Sequence, residues 1–440
     1  MDISNISALI AGYKSGAYTV RDVMEEVIRR MHAHEHSNVW IERVPDEALR
    51  TQAKKMVESA PHAPERDRPL WGVPFAVKDN IDVQGFPTTV GCREFARTPE
   101  ATAPVVQRLL DAGALLVGKT NMDQFATGLT GALSPYGTPV NPYGKDYIPG
   151  GSSSGSAVAV SSKLVSFALG TDTGGSIRLP PGFNNIVGLK PSRGLLSTRG
   201  MVPTCRSLDC VGLMAADVRS VAMIFDVAVG FDPRDPFSQR YDRRDIPRMT
   251  RIGVLMPGCR EFFGDDDAAK IYEAGAARLK DCGFTCVEVD FSPFREASEL
   301  MYNGAWMAER EIVYGAFMKK NPSAVQPATR AAIESGAKYS AIDYFKQFYR
   351  LMELRRQTEL ETWPLIDALY LPTAPRAHRV EDAVKNPRGL IEELKIYTNF
   401  VNLLDLCAIA VPSGFTAAGI PVGATFVAPR CRDHALIEVG

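Results

Sequence analysis

Two loops made almost wholly of glycine, serine and threonine constrain this chain most. They are Gly150-Gly151-Ser152-Ser153-Ser154-Gly155-Ser156 and Gly170-Thr171-Asp172-Thr173-Gly174-Gly175-Ser176. Glycine permits positive φ, so such backbone can turn several N–H groups toward one point, but it has little apolar surface of its own to bury. Regular elements must therefore hold each loop in place. The first loop reads as a turn entering a helix over about 155–163. The second follows a strand-like run, Leu164–Leu169. Upstream, the apolar run Val73–Val77 ends at Lys78, so the lysine amine sits at the C-terminal end of a strand. The fold has to bring these three ends together.

The rest of the chain has an ordinary globular composition. Its 440 residues carry a net charge of −1 with 45% apolar residues, which steers it toward neither nucleic acid nor an anionic membrane. No apolar run is long enough to span a bilayer, and the N-terminus has no secretory pattern, so a soluble, cytoplasmic protein is expected. The eight cysteines form no CxxC pair and read as core thiols of a reducing compartment, with Cys282 and Cys286 around a strand start. His32, His34 and His36 crowd a helix end, His62 lies in a proline-rich loop, and His378 and His434 are isolated from any nucleophile motif. A Ser-His-Asp site is not advertised, and no metal or cofactor is expected.

Thr19 and Asp22 form a capping-box start, and Val20, Val23, Met24, Val27, Ile28 and Met31 recur at helical spacing, predicting an amphipathic helix over 19–33. A helix over 103–112 and a strand over Ala114–Val117 follow. Residues 232–250, rich in charge and proline, read as a long surface connection. Beyond it, strands at Ile252–Leu255 and Val287–Val289 flank a helix over 266–281, and Asp265-Asp266-Asp267 reads as acids complementing that helix's dipole. Strand-like pieces at Ala368–Leu371 and Ala408–Val411 extend the same sheet. Strands alternating with helices predict an α/β fold with a mixed, mostly parallel central sheet in one continuous domain, 1–440. Within it lie N-terminal helices over 1–60, a core over about 70–215 and substrate-side helices over about 290–360.

A serine hydroxyl is a poor nucleophile until a base takes its proton, and a lysine serves if burial keeps it neutral. Asp79 beside Lys78 argues against a neutral amine unless the two side chains diverge, as neighbours on a strand do. The Thr173-Gly174-Gly175-Ser176 turn makes an oxyanion hole if a carbonyl sits over Ser176, or a phosphate site if an anion does. The loop at 150–156 lacks the P-loop order and GxGxxG is missing, so phosphate binding is the weaker reading.

Lys78 in its strand, Gly150–Ser156, Gly170–Arg178 with Leu179-Pro180, and the 24-residue spacing from Ser152 to Ser176 resemble the amidase signature family. That resemblance implies a Ser-cisSer-Lys triad: Ser176 as nucleophile, Ser152 after a cis peptide bond as proton shuttle, and Lys78 as base. It also implies an oxyanion hole from the N–H groups of Thr173, Gly174, Gly175 and Ser176, with Asp172 and Arg178 holding the nucleophile loop. Segments 121–129, 184–191, 206–210, 230–233, 301–310 and 397–402 resemble the amidase domain of the allophanate hydrolases, a subfamily. This similarity implies Tyr302 and Arg310 as substrate-carboxylate contacts, eight residues apart and near one face of a single helix, and the backbone around Gly128 as a further contact. The expected partner is a small amide or urea-like molecule, with allophanate foremost. Aryl amides or carbamates, and the glutaminase component of a tRNA amidotransferase, are the alternatives, and a homodimer is left open. Two departures stand out. Ile177 replaces a glycine and adds bulk beside the nucleophile, and the chain stops at Gly440, ahead of the C-terminal domain the resemblance leads one to expect.

Overall fold

The computed structural model describes residues 1–60, 68–241 and 248–440; His62 and the Arg243–Pro247 end of the charged connection lie outside them. Eleven strands form one sheet: β1 Trp40–Arg43, β2 Pro74–Lys78, β3 Leu115–Thr120, β4 Phe167–Asp172, β5 Val187–Lys190, β6 Cys210–Ala215, β7 Arg251–Leu255, β8 Thr285–Val289, β9 Ala368–Pro372, β10 Cys407–Phe415 and β11 Pro421–Ala428. Their spatial order is β1-β3-β2-β4-β6-β5-β10-β11-β9-β7-β8, so strands from both ends of the chain share one sheet. Helices cover it, and the central strands β2, β3, β4, β5 and β6 are buried along their whole length.

The sheet is mixed, as expected, but it is not mostly parallel. Of the ten ladders among the described residues, four are parallel (β2 with β3 and β4, β7 with β8 and β9) and six antiparallel. The reason lies in the middle of the sheet. β10 returns as β11 through a tight turn whose Thr416 and Ile420 backbones pair. β6 runs back between β4 and β5, antiparallel to both. Neither arrangement needs a crossover helix.

Local expectations fare well where the signals are strong. Thr19 and Asp22 exchange both capping-box bonds ahead of the helix Val20–Ala33, whose six predicted apolar residues are all buried. Asp265 caps the helix Asp266–Asp281, which begins where the acids predicted. β4, however, starts three residues later than the apolar run. Lys163 takes a left-handed conformation (φ 55°) at the end of the preceding helix, and Leu164 and Val165 are buried in the connection instead of the strand. Gly170, Thr171 and Asp172, read from sequence as loop, therefore lie in the strand beside β2. There Phe75 stacks on Phe167 at 5.1 Å between ring centroids, which fixes the register.

The 232–250 connection is less superficial than its composition suggests. Asp232 and Asp235 are buried, accepting hydrogen bonds from Ser197 (2.7 Å) and the Thr198 amide (2.6 Å). All eight cysteines are free. Cys92, Cys205, Cys210 and Cys407 are buried, Cys259 and Cys286 are half-buried, and Cys282 and Cys431 are exposed, contrary to the core reading. Among the described residues no helix is long and apolar enough to cross a membrane.

Candidate active site

The C-terminal ends of β2 and β4, which run parallel and adjacent, set the site. Lys78 is the last residue of β2, fully buried, with its Nζ 2.8 Å from Ser152 Oγ and 2.9 Å from Thr171 Oγ1. Ser152 Oγ in turn lies 3.0 Å from Ser176 Oγ. The Gly151–Ser152 peptide bond is cis, and the loop enters the helix Ser154–Ser161 directly. The structure thus brings Lys78, Ser152 and Ser176 into one hydrogen-bonded chain.

Burial lowers the Lys78 ammonium from its ordinary 10.5 to about 7, against the pull of Asp123, Asp172 and Asp209 in the opposite direction. Asp79, the neighbour of concern, faces away. Its Oδ2 accepts the Thr89 hydroxyl (2.6 Å) and the amides of Thr89 and Gly91, and its Oδ1 lies 3.6 Å from Lys119 Nζ. A neutral amine has two N–H bonds and one lone pair. Thr171 Oγ1 receives an N–H, which leaves the lone pair for the Ser152 O–H, while Ser152 Oγ is free to accept the proton of Ser176. Thr171 also accepts from Asn80 Nδ2 at 3.2 Å, so its hydroxyl is held from two sides. Sequence reasoning missed both residues. The signal was Thr171 itself, a hydroxyl beside the lysine once Gly170–Asp172 is counted as strand.

Asp172 organises the turn that carries Ser176. Its carboxylate accepts the amides of Gly175 (2.9 Å) and Ile177 (2.8 Å) and a two-point contact from Arg178, Nε at 3.1 Å and Nη2 at 2.8 Å. Burial would raise this carboxyl, but the Arg178 guanidinium and the amides outweigh it and hold it below its usual range. Arg178 also donates to the Thr398 carbonyl (2.6 Å) and Asn402 Oδ1 (2.9 Å), and Asn402 Nδ2 returns a bond to the Asp172 carbonyl (2.9 Å). The roles expected of Asp172 and Arg178 as holders of the loop match these contacts. One expected oxyanion donor does not fit: the Gly175 N–H is committed to Asp172. The amides of Thr173, Gly174 and Ser176 make no protein hydrogen bond among the described residues and remain available.

Two further buried acids frame the turns. Asp123 accepts the amides of Gly131 (3.0 Å) and Leu133 (2.8 Å), and burial pushes its carboxyl up. Asp209 holds the Thr173 hydroxyl and the Thr204 amide, and burial raises it to about 6. Gly128 packs on Asp123: a Cβ there would stand 2.7 Å from the carboxylate, so only glycine lets this backbone come so close.

Ile177 does not crowd the nucleophile. Its side chain turns into the core, where Cβ atoms at Gly170 or Gly212 would each come within 2.6 Å of it. The glycines of β4 and β6 make room for the bulk that the sequence reading placed beside Ser176.

Tyr302 and Arg310 meet, but not on one helix. Tyr302 ends the helix Ser292–Tyr302, and Arg310 lies in the next, Ala308–Lys320. The chain breaks at Gly304, where a Cβ would run into the Leu300 carbonyl at 2.0 Å. Arg310 is fully buried with its Cζ 5.2 Å from the Tyr302 ring centroid, and none of its three guanidinium nitrogens has a hydrogen-bond partner among the described residues. A cavity of about 270 Å³ lies beside Tyr302, lined also by Thr127, Leu133 and Met307.

Comparison with known proteins gives the family. Residues 22–437 match the family model described as Amidase. The chain is 36% identical over 425 residues to urea amidolyase of Saccharomyces cerevisiae, covering 95% of this chain and 23% of that one. It therefore spans less than a quarter of that relative's length. It is also 31% identical to a glutamyl-tRNA(Gln) amidotransferase subunit of Lachnospira eligens, covering 98% of this chain and 96% of that one. Among solved structures, an allophanate hydrolase of Kluyveromyces lactis superposes with a TM-score of 0.90 at 36% identity, over 98% of this chain and 71% of that one. From its fold, its buried Lys-Ser-Ser chain and these matches, the chain belongs to the amidase family and is a hydrolase of amide C–N bonds.

Proposed function

We propose that the chain hydrolyses the terminal amide of a small, carboxylate-bearing, urea-like substrate, most simply allophanate, through an acyl-enzyme on Ser176. Neutral Lys78 takes the Ser152 proton, Ser152 takes that of Ser176, and Ser176 Oγ attacks the carbonyl carbon. The amides of Thr173, Gly174 and Ser176 receive the developing oxyanion. As the intermediate collapses, Ser152 returns a proton to the leaving nitrogen and ammonia departs. Water then enters by the same relay and releases the acid.

The observation that carries the substrate class is Arg310. A buried guanidinium with no hydrogen-bonded acid or carbonyl among the described residues keeps a large desolvation cost, which the Tyr302 ring and the nearby Asp209 carboxylate offset only in part. A substrate carboxylate offers the two-point acceptor that such a fork fits, and the Tyr302 ring lies 5.2 Å from the same guanidinium. Among the described residues Arg310 makes no hydrogen bond to a carboxylate, although its charge reaches the buried Asp209. Ile177 does not weigh against a small substrate of this class, because its side chain is in the core.

Ammonia release from allophanate and from a neutral amide of similar size, by wild type and Arg310→Ala, tests the reading. Allophanate turnover should fall by about 2–5 kcal/mol in kcat/KM, the scale for truncating one partner of a buried charge pair, while the neutral amide barely changes. A wild type that ignores allophanate and cleaves neutral amides overturns it. Glutamine belongs in the same panel, because the full-length match to an amidotransferase component makes glutaminase chemistry the second reading. Preferred glutamine hydrolysis would decide for it.

A further inference from the structure

Among the described residues, two side chains have several buried polar atoms and not one hydrogen bond between them: Arg310 and Asn399. The first is accounted for above. Asn399 is 0% exposed, and both its Oδ1 and Nδ2 lack partners. A buried carboxamide left this way carries a desolvation penalty that the free protein does not recover, and such groups call for a reason.

Its position supplies one. A Cβ at Gly174, two residues before Ser176, would stand 2.6 Å from Asn399 Oδ1 and 2.6 Å from the sulfur of Met301, the residue before Tyr302. Asn399 therefore packs on the oxyanion turn, between the nucleophile loop and the Tyr302–Arg310 side of the site. Glycine at 174 is what leaves the amide room. The backbone beside it is tied to the same loop, by Arg178 to the Thr398 carbonyl at 2.6 Å and by Asn402 to the Asp172 carbonyl at 2.9 Å. The backbone that carries Asn399 is thereby held against the Ser176 loop, as the support of a specificity contact must be.

The geometry points to Asn399 as the residue that reads the ureido group, by a hydrogen bond from the N–H between the substrate's carboxylate and its scissile carbonyl. Whichever way the carboxamide is turned, it offers a donor pair and an acceptor, and a ureido edge offers the complement of both. This deepens the proposed function and rests on it. Arg310 selects for a carboxylate, and Asn399 selects for nitrogen rather than carbon beside it.

Two probes of equal charge and similar length separate these roles: allophanate, and malonamate, which has CH₂ in place of the N–H. Wild type should prefer allophanate in kcat/KM, and Asn399→Leu should lower that preference about 10- to 100-fold by slowing allophanate while sparing malonamate. The free Asn399→Leu protein should match or exceed wild type in Tm, because the substitution removes unpaired buried polar atoms at similar volume. A merely structural Asn399 predicts a lower Tm together with an equal loss on both substrates, and the equal loss would overturn the inference. Should the leucine variant not fold, Asn399→Ala carries the same comparison of substrates. If wild type cleaves both anions and the allophanate preference is the same in the variant, the Asn399 inference fails while the carboxylate reading stands. If wild type cleaves neither anion, the carboxylate reading fails and takes this one with it.

Discussion

Replacing Lys78 by methionine should abolish activity and at the same time make stability less dependent on pH. The folded protein holds this amine at about 7 against an ordinary 10.5, because burial denies the ammonium its hydration. Between those values the unfolded chain binds a proton that the folded chain does not, so wild-type stability rises with pH across the window, by up to about 1.4 kcal/mol per pH unit. It gains nothing more above the unfolded value and has lost the whole contribution below the folded one. Methionine fills the same channel with a flexible apolar chain and cannot titrate. It also deprives Ser152 and Thr171 of a partner, but that loss is the same at every pH. Urea unfolding of both proteins at about pH 7.5 and pH 9.5 should show the stability difference, variant minus wild type, falling by roughly 2–3 kcal/mol between the two. All other titrating groups are common to both proteins and cancel. A difference that stays flat means Lys78 keeps its proton in the folded state, and the relay as drawn is wrong.

The kcat/KM of wild type should rise with pH through a limb near 7, since the neutral amine is the active form; a limb falling there would invert the assignment. Thr171→Val should lower kcat about 10- to 100-fold with little change in KM, and cost about 1–3 kcal/mol of stability, because Lys78 and Asn80 both lose a buried acceptor; an unchanged kcat would dismiss the positioning role. EDTA should leave turnover unaffected, and recovery by added metal after a loss would contradict a mechanism run by serines and an amine.

Much of the site was legible because its parts are local. Lys78 closes an apolar strand, and each serine sits in glycine-rich backbone whose conformation its own sequence dictates. The helix Asp266–Asp281 was equally plain, with its acids at one end and Arg278 and Lys280 at the other. What escaped depends on contacts between distant segments. The antiparallel share of the sheet follows from β6 and β11 running back beside their neighbours, which no local pattern encodes. Arg310 and Tyr302 face each other through a break at Gly304, not a helical repeat. Asp172 claims the Gly175 amide through a side-chain contact that the glycine signature alone did not reveal. The bulk of Ile177 looked obstructive because its socket is built by Gly170 and Gly212, glycines of two different strands.

The claim on which all of this depends is that Ser176 is the nucleophile and that Lys78 activates it through Ser152. Labelling with an activated aryl carbamate, followed by peptide mapping, tests it most directly, because the carbamoyl group stays on whichever side chain attacks. The account predicts a single adduct on Ser176, formed at a rate that climbs with pH through about 7 and is slowed by roughly three orders of magnitude or more in Ser152→Ala and Lys78→Met. An adduct on another residue, or undiminished labelling of Ser176 in Lys78→Met, would contradict it.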